Sequence, residues 1–146
     1  MDMLSPTLIN LYDPDWPISA RSPICPPHYT GEHAEIIHSI VTEGCEIDGH
    51  VENSVLSPSV KVQAGANVCY SVLMPGAVVE SGATVEYAII GEGCHIGKDC
   101  RVGGAPDSAL DGKWDLTVLA PDCQLEDGRE VAPGIMLDHH GKEVLK

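Results

Sequence analysis

Apolar columns recur along this chain at intervals of 17 residues, and that period leaves few folds open. Four consecutive units align: IVTEGCEIDGHVENS from Ile40, VLSPSVKVQAGANVCYS from Val55, VLMPGAVVESGATVEYA from Val72 and IIGEGCHIGKDCRVGGA from Ile89. The first is two residues short. After a break, VLAPDCQLEDGREVAPG from Val118 makes a fifth unit, and Ile135 and Met136 open a sixth. Self-similarity at a short fixed period describes a solenoid, in which each unit buries its apolar side only by stacking on its neighbours.

Within each unit, apolar residues recur about every six positions. The first column is Val41, Leu56, Leu73, Ile90, Leu119 and Met136. The second is Ile47, Val62, Val79, Ile96 and Leu125, and the third is Val51, Val68, Val85, Val102 and Val131. Two positions before most of these stands a small residue, such as Ser54 and Ser71, Cys45 and Cys94, or Ala66 and Ala83, with Arg129 out of pattern. Small, outward, large is the period-two alternation of a short strand. Three such strands per unit, separated by Gly and Pro, predict an all-β chain. The expected fold is a single-stranded left-handed parallel β-helix of the hexapeptide type, with five to six coils. The handedness follows from likeness to that class, not from the spacing. No window carries a sustained helical stripe, and Gly and Pro recur too often for helices.

Residues 1–39 lack the repeat and are expected to form an irregular N-terminal connector, with a helical turn over Ser5 to Asn10 and an extended proline-rich stretch from Pro14 to Pro27. The β-helix is expected over 40–146, with an inserted loop at 106–116 whose Trp114 packs back onto the prism. The 22 acidic residues outnumber the 8 basic ones, giving a formal charge of −14. That balance disfavours nucleic acid and anionic membrane as partners. No apolar run is long enough to span a bilayer, and the N-terminus lacks the signal-peptide pattern, so a cytoplasmic protein is expected. Four of the six Cys (Cys45, Cys94, Cys100 and Cys123) fall in the small inward columns and read as buried core thiols. Cys94 and Cys123 are adjacent in one column, though a reducing compartment argues against a bond. No C-x₂₋₄-C spacing suggests a metal site.

One outward column breaks the polar pattern. Ile40, Val55, Val72, Ile89, Val118 and Ile135 precede the first inward column, so alternation points them to solvent. The equivalent outward positions on the other faces are mainly polar. Contiguous exposed apolar surface marks an interface, and covering a few hundred Å² at ~25 cal/mol per Å² would contribute several kcal/mol before association costs. Subunit contact is the favoured expectation. The competing coverings are residues 1–39 folded back, or a catalytic domain. Tyr70 and Tyr87, one coil apart, extend the same surface or simply brace the sheet.

Four segments together resemble one family. LYDPDWPI from Leu11, PPHYTG from Pro26, SIVTEGCEIDG from Ser39 and ENSVLSPSVKV from Glu52 are similar, in order and spacing, to the C-terminal half of bacterial ADP-glucose pyrophosphorylase, or glucose-1-phosphate adenylyltransferase. The resemblance implies a left-handed β-helix that assembles subunits and transmits allosteric signals beside a catalytic domain. That domain joins ATP, with Mg²⁺, to glucose 1-phosphate for glycogen or starch synthesis. It implies as partners the catalytic domain itself, other subunits in a homo- or hetero-oligomer, and a phosphorylated effector. The family's Gly-rich phosphate loop and sugar-phosphate lysines have no counterpart here, so no catalytic residue, cofactor or stand-alone transferase activity is expected of this chain. Some members carry effector-binding arginines in the third coil, where this chain reads Glu80 to Tyr87 without a positive charge. The remaining cationic candidates are Lys98, Arg101 and Lys113. The alternatives are a stand-alone hexapeptide acyltransferase or a γ-class carbonic anhydrase-like protein. The latter needs three His around Zn²⁺, whereas His50 and His95 fall three coils apart on different faces.

Overall fold

The computed structural model describes residues 24–105 and 115–144. Within them, 18 short strands wind into three parallel six-stranded sheets, and every element is a strand. The first face holds β3 (Ile40–Val41), β6 (Val55–Leu56), β9 (Val72–Leu73), β12 (Ala88–Ile90), β15 (Thr117–Leu119) and β18 (Met136–Leu137). The second holds β1 (Tyr29–Thr30), β4 (Glu46–Ile47), β7 (Lys61–Val62), β10 (Val78–Val79), β13 (His95–Ile96) and β16 (Gln124–Leu125). The third holds β2 (Glu35–Ile37), β5 (His50–Glu52), β8 (Asn67–Cys69), β11 (Thr84–Glu86), β14 (Arg101–Gly103) and β17 (Glu130–Val131). Five interstrand steps of ~4.8 Å give each face a height of about 24 Å. This is the expected hexapeptide-type β-helix.

The inward columns stack as the spacing predicts. Leu56, Leu73, Ile90 and Leu119 line the first face, and Val51, Val68, Val85 and Val102 the third, each at most 1% exposed. The small columns do more than make room. Cys45 donates its thiol hydrogen to Ser57 O (3.2 Å), Cys94 to Ala120 O (3.1 Å) and Cys100 to Glu126 O (3.0 Å), each in the coil below. All six Cys are free thiols. Burial pushes the Cys94 thiol up to about 11, and burial raises Cys45, Cys100 and Cys123 as well.

The 17-residue period resolves into two six-residue sides and one of five. The five-residue step joins the third face to the first, as from Val51 to Leu56 or Val68 to Leu73. Its tightness requires a left-handed residue, supplied by His38, Asn53, Tyr70 and Tyr87 at φ 44–48°. It also leaves an amide beyond reach of the carbonyl ladder, and a buried serine column takes that role. Ser54 Oγ accepts from Ser71 N (3.1 Å) and donates to Glu52 O (2.7 Å). Ser71 Oγ accepts from Ala88 N (3.2 Å) and donates to Cys69 O (2.8 Å).

Two boundaries differ from the sequence reading, and a third feature of it is located by the structure. The connector does not extend to residue 39: β1 and β2 already pair with β4 and β5, so the helix begins with a partial coil at Tyr29. Thr30 stands there where later coils carry Ile, Val or Leu, and this hid the repeat. At the other end, Val118 pairs with Met136 and Leu119 with Leu137, so Met136 faces outward and Leu137 is the buried member of the column. Ile135 accordingly leaves the outward stripe and packs partly against the core. The cause is Pro133. It falls where the tight corner needs positive φ, but its ring holds φ near −65°. The corner therefore takes one more residue and turns at Gly134 (φ 74°). Third, the two-residue deficit of the first unit falls at Asp48–Gly49. A Cβ on Gly49 would lie 2.6 Å from Ala66 O and 2.7 Å from Gln63 O, so the shortened corner depends on glycine.

Residues 106–114 of the inserted loop, with Lys113 and Trp114, lie outside the described residues, as do Ser5 to Asn10 and most of the proline-rich stretch. The chain leaves and rejoins at a third-to-first corner, and Thr117 N still bonds Tyr87 O (3.1 Å), so the insertion spares the ladder. After β18 the chain reverses, with Leu137 bridging Glu143, and Arg129 reaches the Gly141 carbonyl. The Arg that broke the small column thus serves the closing turn. No helix among the described residues is long and apolar enough to cross a membrane.

Candidate functional site

Ile40, Val55, Val72, Ile89 and Val118 stand in register down the first face, with Met136 completing the stripe. The first five are half-buried, because β-branched side chains ~4.8 Å apart shade one another, and Met136 is 41% exposed. At the adjoining edge the Tyr70 and Tyr87 rings stack at 4.9 Å, 7° from parallel. Both residues hold the left-handed backbone of the tight corner. Burial foremost, then Tyr70, Glu86 and Cys69, holds the Tyr87 phenol above its ordinary range. The described part of the connector does not cover the stripe. Cys25 contacts Ser59 (3.7 Å), and Gly44 N bonds Pro26 O (2.7 Å), placing this segment on the corner between the first and second faces.

Two of the three candidate effector cations can be located. Lys98 is exposed on the corner between the second and third faces, its amide donating to Asp127 Oδ1 (2.9 Å). Arg101 is exposed on the third face, in register between Thr84 and Glu130. The structure brings the two to one edge of the fourth coil, each with a carboxylate residue in the coil below.

An open concavity lies elsewhere. The shortened Asp48–Gly49 corner retracts from its neighbours and leaves an open cleft of about 660 Å³ between Gly31–His33 and Gln63. Asp48 accepts the His33 amide (3.0 Å) and faces its imidazole (3.5 Å), while Glu46 pairs with Lys61 (3.0 Å). With Glu32, Glu46 and Asp48 set against Lys61 and His33, the cleft is ill suited to a phosphate.

The third face carries a cluster that the sequence reading missed. His50 and Glu52 are outward neighbours on β5, and Cys69 stands beside Glu52 on β8. Their donor atoms lie within 4.8 Å of one another. His50 Nδ1 lies 3.1 Å from Glu35 Oε2, and Nε2 lies 3.5 Å from Glu52 Oε2. Asn53 donates to the other Glu52 oxygen (3.2 Å). Cys69 Sγ approaches Asn67 Oδ1 (3.4 Å), and burial, then Glu52 and Glu86, raises its thiol above the ordinary value. The available signal was arithmetic: 50 and 52 share a face, and 69 is 52 plus one period. His95, by contrast, pairs with Glu80 (2.8 Å) from the second face, so His50 and His95 are not brought together.

A family model described as "GlmU-like, C-terminal hexapeptide" matches residues 27–118. The chain is 35% identical to a glucose-1-phosphate adenylyltransferase of Acetivibrio thermocellus over 144 residues, covering 94% of this chain and 34% of that enzyme. It is 48% identical to the enzyme so named from Clostridium beijerinckii over 94 residues, 64% of this chain and 24% of that one. It thus spans about a third or less of these relatives' length. Among solved structures, a Desulfovibrio desulfuricans protein provisionally assigned as an acetyltransferase superposes with a TM-score of 0.60 at 14% identity, over 75% of this chain and 24% of the other. That likeness is one of fold.

Proposed function

The chain belongs to the GlmU-like C-terminal hexapeptide family, and from that premise we propose that it is the oligomerisation and allosteric β-helix of a glucose-1-phosphate adenylyltransferase. The full enzyme would join ATP and glucose 1-phosphate into ADP-glucose and pyrophosphate, serving glycogen biosynthesis in the cytoplasm. Adenylyl transfer, with the Mg²⁺ and ATP it uses, is assigned to a catalytic domain and not to any residue of the β-helix. The assignment to this enzyme rests on the two adenylyltransferase relatives above and on the four sequence segments that resemble the family.

The assembly role rests on one observation, the contrast between faces. Five aliphatic residues and Met136 form an unbroken outward column on the first face. On the third face the same positions hold Glu35, His50, Asn67, Thr84, Arg101 and Glu130. An aliphatic column of this length gains free energy by association, and the partner it fits is a neighbouring subunit or the enzyme's catalytic domain. A phosphorylated effector would be met at Lys98 and Arg101, with Lys113 from the inserted loop.

Light scattering on the chain tests the assembly role. Wild type is expected as an oligomer at micromolar concentration, and Ile89→Glu as a monomer of unchanged secondary structure. Thr84→Glu places the same charge on the third face and is expected to leave the oligomer intact. A monomeric wild type, or equal dissociation by both variants, would overturn it.

A further inference from the structure

We propose that His50, Glu52 and Cys69 form a binding site for a divalent transition-metal ion, with Zn²⁺ the ion that fits the donor set. One imidazole nitrogen, one carboxylate oxygen and one thiol converge from two successive coils, all within 4.8 Å. Zn²⁺ takes this mixture at ~2.0–2.3 Å per ligand, so side-chain rotation of roughly 1 Å would draw the three donors onto a common ion. Mg²⁺ and Ca²⁺ prefer all-oxygen shells and do not suit a thiol.

The surroundings orient these donors. Glu35 lies on the Nδ1 side of His50 and, by accepting the Nδ1 hydrogen, leaves the Nε2 lone pair directed at Glu52 and Cys69. A carboxylate behind a ligating imidazole fixes its tautomer and raises its basicity. Asn53 occupies the outer oxygen of Glu52 and is held in turn by His38 Nδ1 (2.8 Å), so Oε2 remains turned inward. The site is reachable, since the His50 and Glu52 side chains are 30% and 37% exposed. Binding would form a metal–thiolate bond and release the Cys69 proton to solvent, with no change of oxidation state. Three protein ligands leave a fourth position for water or for Glu86, the residue paired with Cys69 in the next coil. The ion would tie the first coil to the second, beside the partial coil that opens the helix.

The competing account makes His50 an imidazolium shared by Glu35 and Glu52, with Cys69 a bystander. Chelator-stripped, reduced protein titrated with Zn²⁺ alone in a calorimeter separates the two. One ion per chain is expected, and Co²⁺ in its place is expected to show thiolate-to-metal charge-transfer absorption. Cys69→Ser should abolish that absorption and weaken Zn²⁺ at least about tenfold. Glu35→Gln, which alters a positioning residue, should weaken Zn²⁺ roughly 10- to 100-fold while keeping the absorption. His139→Gln with His140→Gln should change nothing. No stoichiometric uptake by wild type, uptake indifferent to Cys69→Ser and His50→Gln, or uptake lost only with the His139 and His140 pair would overturn the proposal. The metal-free melting temperature of each variant reports whether it folds.

Discussion

The first and third faces share one inward design and oppose each other outward. Both bury a column of aliphatic residues at most 1% exposed through the middle coils, in the same parallel register. Outside, the first presents Val55, Val72 and Ile89, and the third presents His50, Glu52, Cys69 and Glu86. Stacking energy comes from the inward side, so the outward side is free to differ between faces. A continuous aliphatic column on one and a titratable cluster on the other are therefore chemical content beyond what folding requires.

The largest effects should come from the side the faces share. Leu73→Ala on the first face should cost ~2–5 kcal/mol, the transfer term plus the cavity left in a column that cannot collapse. Val85→Ala on the third removes fewer carbons and should cost roughly 2 kcal/mol. Denaturant unfolding of the two variants measures both. A harmless Val85→Ala would break the comparison, because the third face would then not share the common core.

The inward side was also the part legible in the sequence. Period 17 and its three columns placed the buried residues of coils one to five, and alternation placed the outward stripe through Val118. Reading failed where backbone geometry decided the outcome. Ile135 was placed one position out because Pro133 cannot adopt the left-handed corner that Asn53 or Tyr70 adopts. Tyr29 to Ile37 were missed because an end coil tolerates Thr30 in register with buried Ile47, and leaves Ile36, in register with buried Val51, 37% exposed. The His50 cluster escapes a reading of the sequence because no short ligand spacing joins Cys69 to His50 and Glu52. Only the register sets Cys69 beside Glu52.

A middle-sized effect belongs to the corner joining the two faces. Ser71 was read as merely small, yet its hydroxyl accepts from the Ala88 amide and donates to Cys69 O in a site with no exposure. Ser71→Ala keeps the volume and orphans that amide, at a cost of ~1–3 kcal/mol. Ser71→Cys would restore part of it, since thiols bond neighbouring carbonyls in the other small columns. Amide exchange at Ala88 reads the effect locally. An unchanged exchange rate would mean that smallness alone was selected, as at Ala66 and Ala83.

The smallest effect probes how far the polar character of the third face extends toward the apolar one. Tyr87 stands on the shared corner, and its phenol is raised first by burial and then by Tyr70, Glu86 and Cys69. A raised folded pKa means that the folded chain holds the proton more tightly than the unfolded one, which titrates near 10. The associated stability is therefore complete below about pH 10 and is lost as pH rises through the folded value. An alkaline absorbance titration of wild type minus Tyr87→Phe isolates this phenol. Glu86→Gln should move its midpoint down only in part, because burial remains. A full return to the ordinary value would make Tyr87 a member of the charged face. No movement would place the stacked pair of Tyr70 and Tyr87 wholly with the aliphatic stripe, and Tyr87→Ala would then weaken assembly alongside Ile89→Glu.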